Sequence, residues 1–175
     1  MIAKPGIYSD ANPIIELAKW AKRTHDPVRE PDLLMMERLL KAANNNEISL
    51  FTSSISVAEC VAAGEDYGQD VQDFFKGVLT SGAMFKLVQD DIFVVEHARD
   101  LRWKHDIRLR GMDAIHVASA IRARCAEFLT WDTGIAGSKS LLKAQFLESQ
   151  GIRVITPSQT QLLPPLYKQT KPGLF

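Results

Sequence analysis

Short apolar runs alternate along this chain with longer amphipathic ones. The short runs are rich in β-branched and aromatic residues and are bounded by turn-forming residues, which predicts strands. The five predicted strands are GIYS, ISLFTS, FKLV, EFLT and IRVIT. The longer runs repeat their apolar residues every three or four positions, which predicts helices. Strands that alternate with helices predict an α/β fold, with a central five-stranded parallel sheet flanked by helices on both faces.

Polar residues and glycines predict where several helices begin and end. Asn12 and Pro13 are typical of a cap and a first turn, so we expect the first helix to begin there. Asp32 and Ser138 are expected to cap the second helix and the helix SKSLLKAQFLESQ. Gly64 is expected to end the helix SISVAECVAAG.

Length and composition predict one ordinary globular domain. The chain has 175 residues, of which 46% are hydrophobic and 24% charged. We assign residues 1–157 to this domain and expect the Pro-rich tail, residues 158–175, to be irregular. Cys60 and Cys125 each lie in an apolar run and are interpreted as core fillers. The absence of a long apolar segment predicts a soluble, cytoplasmic protein without a membrane span.

The charge balance limits the kinds of nucleic-acid binding that we expect. Lys plus Arg and Asp plus Glu both number 21, so the formal net charge is zero. That balance argues against a strongly basic surface that coats nucleic acid, but it leaves room for a local basic groove.

Two aspartates end predicted strands. Asp10 follows the first strand and Asp132 follows the fourth. Right-handed crossovers place the carboxyl ends of parallel strands at one edge of the sheet, where ligand sites form. Asp10 could instead be a helix cap, although Asn12 and Pro13 already fill the cap and first turn. Asp132 could instead be a turn residue before Gly134.

Two further acids lie on predicted helices. Glu59 shares a helix face with apolar neighbours, and a buried unpaired charge is costly, so Glu59 needs a partner. A salt bridge to an Arg or Lys is the simplest alternative to a functional role. Asp113 lies in the first turn of MDAIHVASAIRARC, where Asp is also favoured for structural reasons.

Four carboxylates gathered at one edge of a sheet predict a metal site. Clustered carboxylates repel one another, and some would take up a proton unless a positive charge lies among them. Mg²⁺ or Mn²⁺, which prefer oxygen ligands, would supply that charge. A metal of this kind activates water and offsets the charge that develops on a phosphate, which indicates phosphodiester cleavage.

The segments IYSDAN, ISVAEC, MDAIHVASA and FLTWDTG, in this order, resemble the PIN-domain family, and most closely its VapC-type toxin ribonucleases. The resemblance extends from about Gly6 to Pro157. It implies an endoribonuclease that depends on Mg²⁺ or Mn²⁺ and is frequently a homodimer. It also implies that the catalytic and metal-binding acids are Asp10, Glu59, Asp113 and Asp132, supported by Asn12 and Thr130.

Two features depart from the family pattern. Ala11 follows Asp10, where a small hydroxyl residue is common in the family. The chain is also longer than compact toxins, through the region THDPVREPDLLMMERLLKAANNN and the Pro-rich tail.

A basic stretch, ARDLRWKHDIRLRG, leads directly into the segment that carries Asp113. Phosphate contacts together with a stacking aromatic residue would suit single-stranded RNA. We therefore expect substrate-binding roles for Arg102, Lys104, Arg108 and Arg110. The alternative is a solvated helix face with Trp103 in the core. His116, one turn after Asp113, either contacts the site or is a satisfied inner-face histidine.

The sequence thus favours a metal-dependent endoribonuclease that acts on RNA. From the resemblance we also expect the toxin of a toxin–antitoxin pair, with a small antitoxin protein as its partner. Two alternatives remain open at this stage. One is a non-catalytic RNA- or protein-binding module in which the acids form salt bridges. The other is a metal-dependent phosphohydrolase of different specificity.

Overall fold

The computed structural model describes residues 4, 6–132 and 145–168. Its central sheet has five strands, all parallel, in the order β3-β2-β1-β4-β5. The predicted five-stranded parallel sheet is therefore confirmed. The strands are β1 (Gly6–Ser9), β2 (Ser49–Ser53), β3 (Phe85–Val88), β4 (Glu127–Leu129) and β5 (Arg153–Ile155).

Eight α-helices are described around this sheet. In the ranges 6–132 and 145–168, none of them is long and apolar enough to cross a bilayer. A short 3-10 turn, Pro27–Arg29, leads into the second helix. The helices are α1 (Ala11–Ala21), α2 (Glu30–Asn44), α3 (Ile55–Glu59), α4 (Gln69–Phe75), α5 (Ile92–His105), α6 (Gly111–Arg122), α7 (Gln145–Ser149) and α8 (Pro165–Lys168).

The buried side chains form two clusters that share the strands of the sheet. Successive residues of a strand point to opposite faces, so Ile7 joins one cluster and Tyr8 the other. The first cluster includes side chains of α1, α2 and α4, and the second includes side chains of α5 and α6. Cys60 and Cys125 are free and buried, one in each cluster, as predicted for core fillers. Burial raises the pKa of both thiols to about 12.

The first helix begins earlier than its sequence predicted. Asp10, not Asn12, is the N-cap of α1, and its Oδ1 accepts a hydrogen bond of 2.6 Å from the backbone N–H of Ala11. Asn12 lies inside the helix because β1 ends at Ser9 and only Asp10 separates the two elements. Asp10 therefore has the capping role that the sequence assigned to Asn12.

The second helix also begins before its expected cap. Asp32 lies within the first turn of α2, which starts at Glu30. Its carboxylate accepts hydrogen bonds from the indole of Trp131 and from the backbone N–H of Ser158. Asp32 consequently joins three segments instead of capping one.

The third helix is much shorter than predicted. It ends at Glu59, because the backbone leaves the helical region at Cys60, and it does not continue to Gly64. Gly64 has a φ of +70° within a short turn closed by an Ala63–Asp66 bridge. Glu59 therefore lies at the end of a helix, where its side chain reaches toward the sheet edge.

A π-helical turn, Lys76–Thr80, continues α4. The predicted helix capped by Ser138 is described only as α7, since residues 133–144 lie outside the described part of the chain.

The described part of the Pro-rich segment is more ordered than predicted. It contains the turn Pro157–Gln159 and helix α8, and Leu163 and Tyr167 belong to the larger buried cluster. Apolar residues between the prolines explain the difference, because they pack against α2. The division at residue 157 stays a prediction.

A buried glutamate attaches this segment to the sheet. Glu127 of β4 is only 1% exposed. It accepts hydrogen bonds from Arg153 (3.2 Å), from the Thr160 hydroxyl and from the backbone N–H of Gln161 (3.1 Å). Its charge is therefore matched by donors from β5 and from the C-terminal segment.

We expect Glu127→Gln to destabilise the protein by about 2 kcal/mol, because it removes the charge and turns an amide NH₂ toward donors that need an acceptor. Urea unfolding followed by circular dichroism would measure the change. The matched control is Glu148→Gln, at an exposed position of α7. Equal stability of the two variants would show that the Glu127 contacts contribute little.

Candidate active site

The site begins where β1 and β4 end side by side. Asp10 follows β1 and is 6% exposed. Its Oδ2 accepts a hydrogen bond of 2.9 Å from the Thr130 hydroxyl, and its backbone N–H donates to the carbonyl of Leu129. The Thr130 hydroxyl also accepts a bond of 3.0 Å from the backbone N–H of Asp132. Thr130 thus contacts the carboxylate of Asp10 and the backbone of Asp132, and its supporting role stays a prediction.

A cleft of about 680 Å³ opens at this sheet edge. Three of the four predicted acids line it: Asp10 from β1, Asp113 from α6 and Asp132 after β4. Asn12 lines the same cleft from the first turn of α1. Residues that are distant in the chain are therefore brought together by the strand order, as the sequence predicted.

The fourth acid, Glu59, is not among the residues that line the cleft. Its Oε2 lies 2.8 Å from Nε2 of His116, a nitrogen that is also 3.7 Å from Oδ1 of Asp10. The other ring nitrogen of His116 is 2.7 Å from the hydroxyl of Tyr8. Glu59 is thus paired with a histidine, where the simplest alternative had named an Arg or a Lys.

His116 is almost fully buried beneath the acids. Burial by itself lowers the pKa of this imidazole, but the hydrogen bond to Glu59 and the negative charges of Asp10, Glu59 and Asp113 outweigh burial and raise the pKa. Both interpretations of His116 therefore apply, because its bonds are satisfied and it also lies next to the candidate acids.

The two central carboxyls have a raised affinity for protons. Burial raises the pKa of Asp10, although His116, Thr130 and Ala11 act in the opposite direction. Burial and the charges of Asp10 and Asp132 raise the pKa of Asp113. The acids therefore repel one another across the cleft, and a bound cation would relieve that repulsion.

The donor atoms of this cleft suit a hard cation, although the side chains are not arranged as a finished ligand shell. In the described part of the chain, no group of three His, Cys, Asp or Glu side chains forms a preformed metal site. The cleft offers carboxylate and amide oxygens, which Mg²⁺ and Mn²⁺ prefer.

The predicted basic residues divide into two pairs. Arg108 and Arg110 line the cleft beside Asp113. Arg102 and Lys104 are not among the lining residues, and each pairs with an acid one turn away, Asp106 and Asp100 respectively. A substrate-binding role for this second pair stays a prediction.

Trp103 is not a core residue. It is 71% exposed, and the guanidinium of Arg99 lies 4.4 Å from the centre of its ring. The alternative that placed Trp103 in the core is therefore wrong. The residues at the C-terminal end of α5 are mostly exposed. The spacing of the apolar residues along this helix therefore did not indicate which side chains are buried.

Sequence reasoning did not single out several residues that line the cleft, among them Arg29 and Trp131. Trp131 separates Thr130 from Asp132 and reads as part of a strand, whereas Arg29 lies in an irregular segment more than 100 positions away. The Pro27–Arg29 turn interrupts any periodic pattern, so the chain gave no signal that these two side chains meet.

Comparison with known proteins identifies one matching family. The model of the family described as PIN domain matches residues 7–137, three quarters of the chain. The match covers Asp10, Glu59, Asp113 and Asp132 together. A search of curated proteins finds no match.

We expect Glu59→Gln to lower the pKa of His116, because the variant removes a neighbouring negative charge and replaces a charged hydrogen-bond acceptor with a neutral amide. NMR titration of the His116 ring in metal-free buffer would measure this pKa, with Glu96→Gln on the exposed part of α5 as control. The raised pKa of His116 also makes the free energy of unfolding depend on pH. The stabilisation that Glu59 gives charged His116 is present below the ordinary value of 6.5 and is lost as the pH rises through the folded-state pKa.

The difference in unfolding free energy between the native protein and Glu59→Gln should therefore shrink toward high pH. An unchanged His116 pKa, or a difference that grows with pH, would contradict the pairing.

Proposed function

Because the chain belongs to the PIN domain family, whose members are generally nucleases that use divalent metal ions, we propose that it is a metal-dependent endoribonuclease. The substrate would be RNA, and the ion would be Mg²⁺ or Mn²⁺. The observation that carries this proposal is the meeting of Asp10, Asp113 and Asp132 in one cleft with basic side chains beside them.

Asp10, Asp113 and Asp132 would hold the ion. Each lines the cleft, and the raised pKa of Asp10 and of Asp113 reflects burial together with neighbouring negative charge that an ion would compensate. Glu59 would act on this group through His116, whose Nε2 lies 2.8 Å from Glu59 and 3.7 Å from Asp10. When bound, the ion would make a coordinated water more nucleophilic and offset charge on the phosphate.

The remaining residues would position the acids and the substrate. Thr130 and the Ala11 N–H each donate to one oxygen of Asp10, which fixes the plane of its carboxylate. Arg108 and Arg110 would contact the phosphates of the RNA backbone from the α6 side of the cleft. Asn12 would support the acids from the first turn of α1.

Several finer aspects stay predictions: the VapC-type toxin role, inhibition by a small antitoxin, the homodimer and a cytoplasmic location. They would determine when and where the activity is expressed. The proposed chemistry does not depend on them.

We expect purified protein to cleave single-stranded RNA only with Mg²⁺ or Mn²⁺, and Asp10→Asn and Asp113→Asn to reduce cleavage to background. Each substitution removes one negative charge from the ion-holding group while preserving side-chain shape. The control is Asp73→Asn at an exposed position of α4, which should cleave normally. A parallel panel of single-stranded DNA and small phosphate esters would reveal a phosphohydrolase of other specificity, and intact RNA with both ions would contradict the proposal.

One observation favours a second candidate, a non-catalytic RNA- or protein-binding module. Glu59 is already bonded to His116, and the described residues contain no preformed metal site. In such a module, divalent ions would have no specific place to bind.

Thermal unfolding separates the two candidates without any assay of cleavage. For the nuclease, the melting temperature should rise with Mn²⁺ concentration, because an ion that binds only the folded state stabilises it by about 2.7 kcal/mol at 100 times its dissociation constant. Asp113→Asn should lose most of this rise, whereas Asp73→Asn should keep it. A melting temperature that is independent of Mn²⁺ in the native protein would favour the binding module.

A further inference from the structure

The guanidinium of Arg29 lies over the ring of Trp131 at the cleft. Its guanidinium carbon is 4.4 Å from the centre of the indole, a distance typical of cation–π contact. Arg29 belongs to the Pro27–Arg29 turn, within the segment by which this chain exceeds compact toxins. Arg29 therefore adds a positive charge to the cleft from outside the acidic motifs.

Hydrogen bonds hold the ring beneath Arg29 in place. Trp131 is 7% exposed, and its Nε1–H donates to Oδ2 of Asp32 over 2.7 Å. The other oxygen of Asp32 accepts a 2.7 Å bond from the backbone N–H of Ser158. The indole is thus fixed by α2 and by the C-terminal segment, so the guanidinium above it rests on a rigid support.

Arg29 has no carboxylate partner among the residues that the structure describes. Two other cations at the cleft differ in this respect: Lys19 pairs with Glu16, and Arg108 lies 3.7 Å from Asp106. A guanidinium that is supported on one face and free of ion pairs keeps its N–H donors available for an anion.

We propose that Arg29 binds a backbone phosphate of RNA that lies in the cleft. This inference rests on the proposed function for the identity of the substrate. Arg29 reaches the cleft from the turn before α2, whereas Arg108 and Arg110 reach it from the segment before α6. Single-stranded RNA in the cleft would then be contacted by cations from two separate segments, with the acids of the sheet edge also lining the cleft.

A purely structural role for Arg29 makes a different prediction. If the side chain serves only to cover Trp131, an uncharged chain of similar length should replace it without loss. Arg29→Met keeps an apolar stem on the indole and removes the charge, whereas Arg29→Lys keeps the charge and loses the planar fork. These two variants separate packing from phosphate binding.

The experiment measures binding of a fluorescein-labelled single-stranded RNA oligonucleotide to the full chain by anisotropy, in EDTA and at several salt concentrations. Without metal the RNA is not cut, so binding is measured independently of catalysis. We expect Arg29→Met to bind about fivefold more weakly at 0.1 M salt, and its plot of log affinity against log salt to be shallower by about 0.7, the contribution of one phosphate contact on a single strand. Arg29→Lys should restore most of the salt dependence.

Arg122→Met is the matched control, because Arg122 is an exposed arginine paired with Asp91 and is not among the residues that line the cleft. It changes the net charge by the same amount, and its affinity and salt slope should match those of the native protein. Melting temperatures of all variants would show that each is folded.

The outcomes distinguish this inference from the proposed function. Native affinity and native salt slope in Arg29→Met would overturn the inference. Equal losses in Arg29→Met and Arg122→Met would overturn it too, and so would an absence of RNA binding by the native protein. Weakened binding in Arg29→Met, in a protein that fails to cleave RNA with Mg²⁺ or Mn²⁺, would support the inference and overturn the nuclease.

Discussion

The site depends on the position of Asp10, which follows the central strand β1 at the edge of the sheet. Because β1 pairs with both β2 and β4, its carboxyl end lies in the middle of the sheet edge. The carboxylate there is buried and would be costly to ionise alone. It is compensated by donors from Thr130 and Ala11 and by the nearby imidazole of His116. A change in strand order would therefore remove the site.

The same constraint explains why the sequence predicted the meeting of Asp10 and Asp132 more accurately than it predicted the ends of the helices. Asp10 and Asp132 follow apolar strands, and parallel topology alone brings such positions to one edge. The residues at which a helix begins and ends depend instead on local backbone and side-chain contacts. Asp10 caps α1 because β1 runs almost directly into the helix, and α3 stops at Glu59 because the chain turns toward the Ala63–Asp66 bridge. No periodic pattern of apolar residues encodes either event.

The contacts of the site that were not predicted all join segments that are distant in the chain. His116 connects Glu59 with Tyr8, and Asp32 connects Trp131 with Ser158. Each of these contacts forms only when the helices pack against the sheet, so the sequence pattern does not predict it. Together these contacts link the acidic centre to α3 on one side and to α2 and the C-terminal segment on the other. The regions that exceed the compact family pattern are therefore attached to the cleft, and one of them supplies Arg29 to it.

The central claim is that the clustered carboxylates bind one kind of ligand, a hard divalent cation. Crystals grown or soaked with Mn²⁺ would test it most directly, since anomalous scattering locates manganese without reference to any assumed mechanism. The account predicts an anomalous peak among the carboxylates of Asp10, Asp113 and Asp132, and its loss in Asp10→Asn. An ordered cleft that contains no manganese at millimolar Mn²⁺, with these carboxylates turned to protein donors, would contradict it.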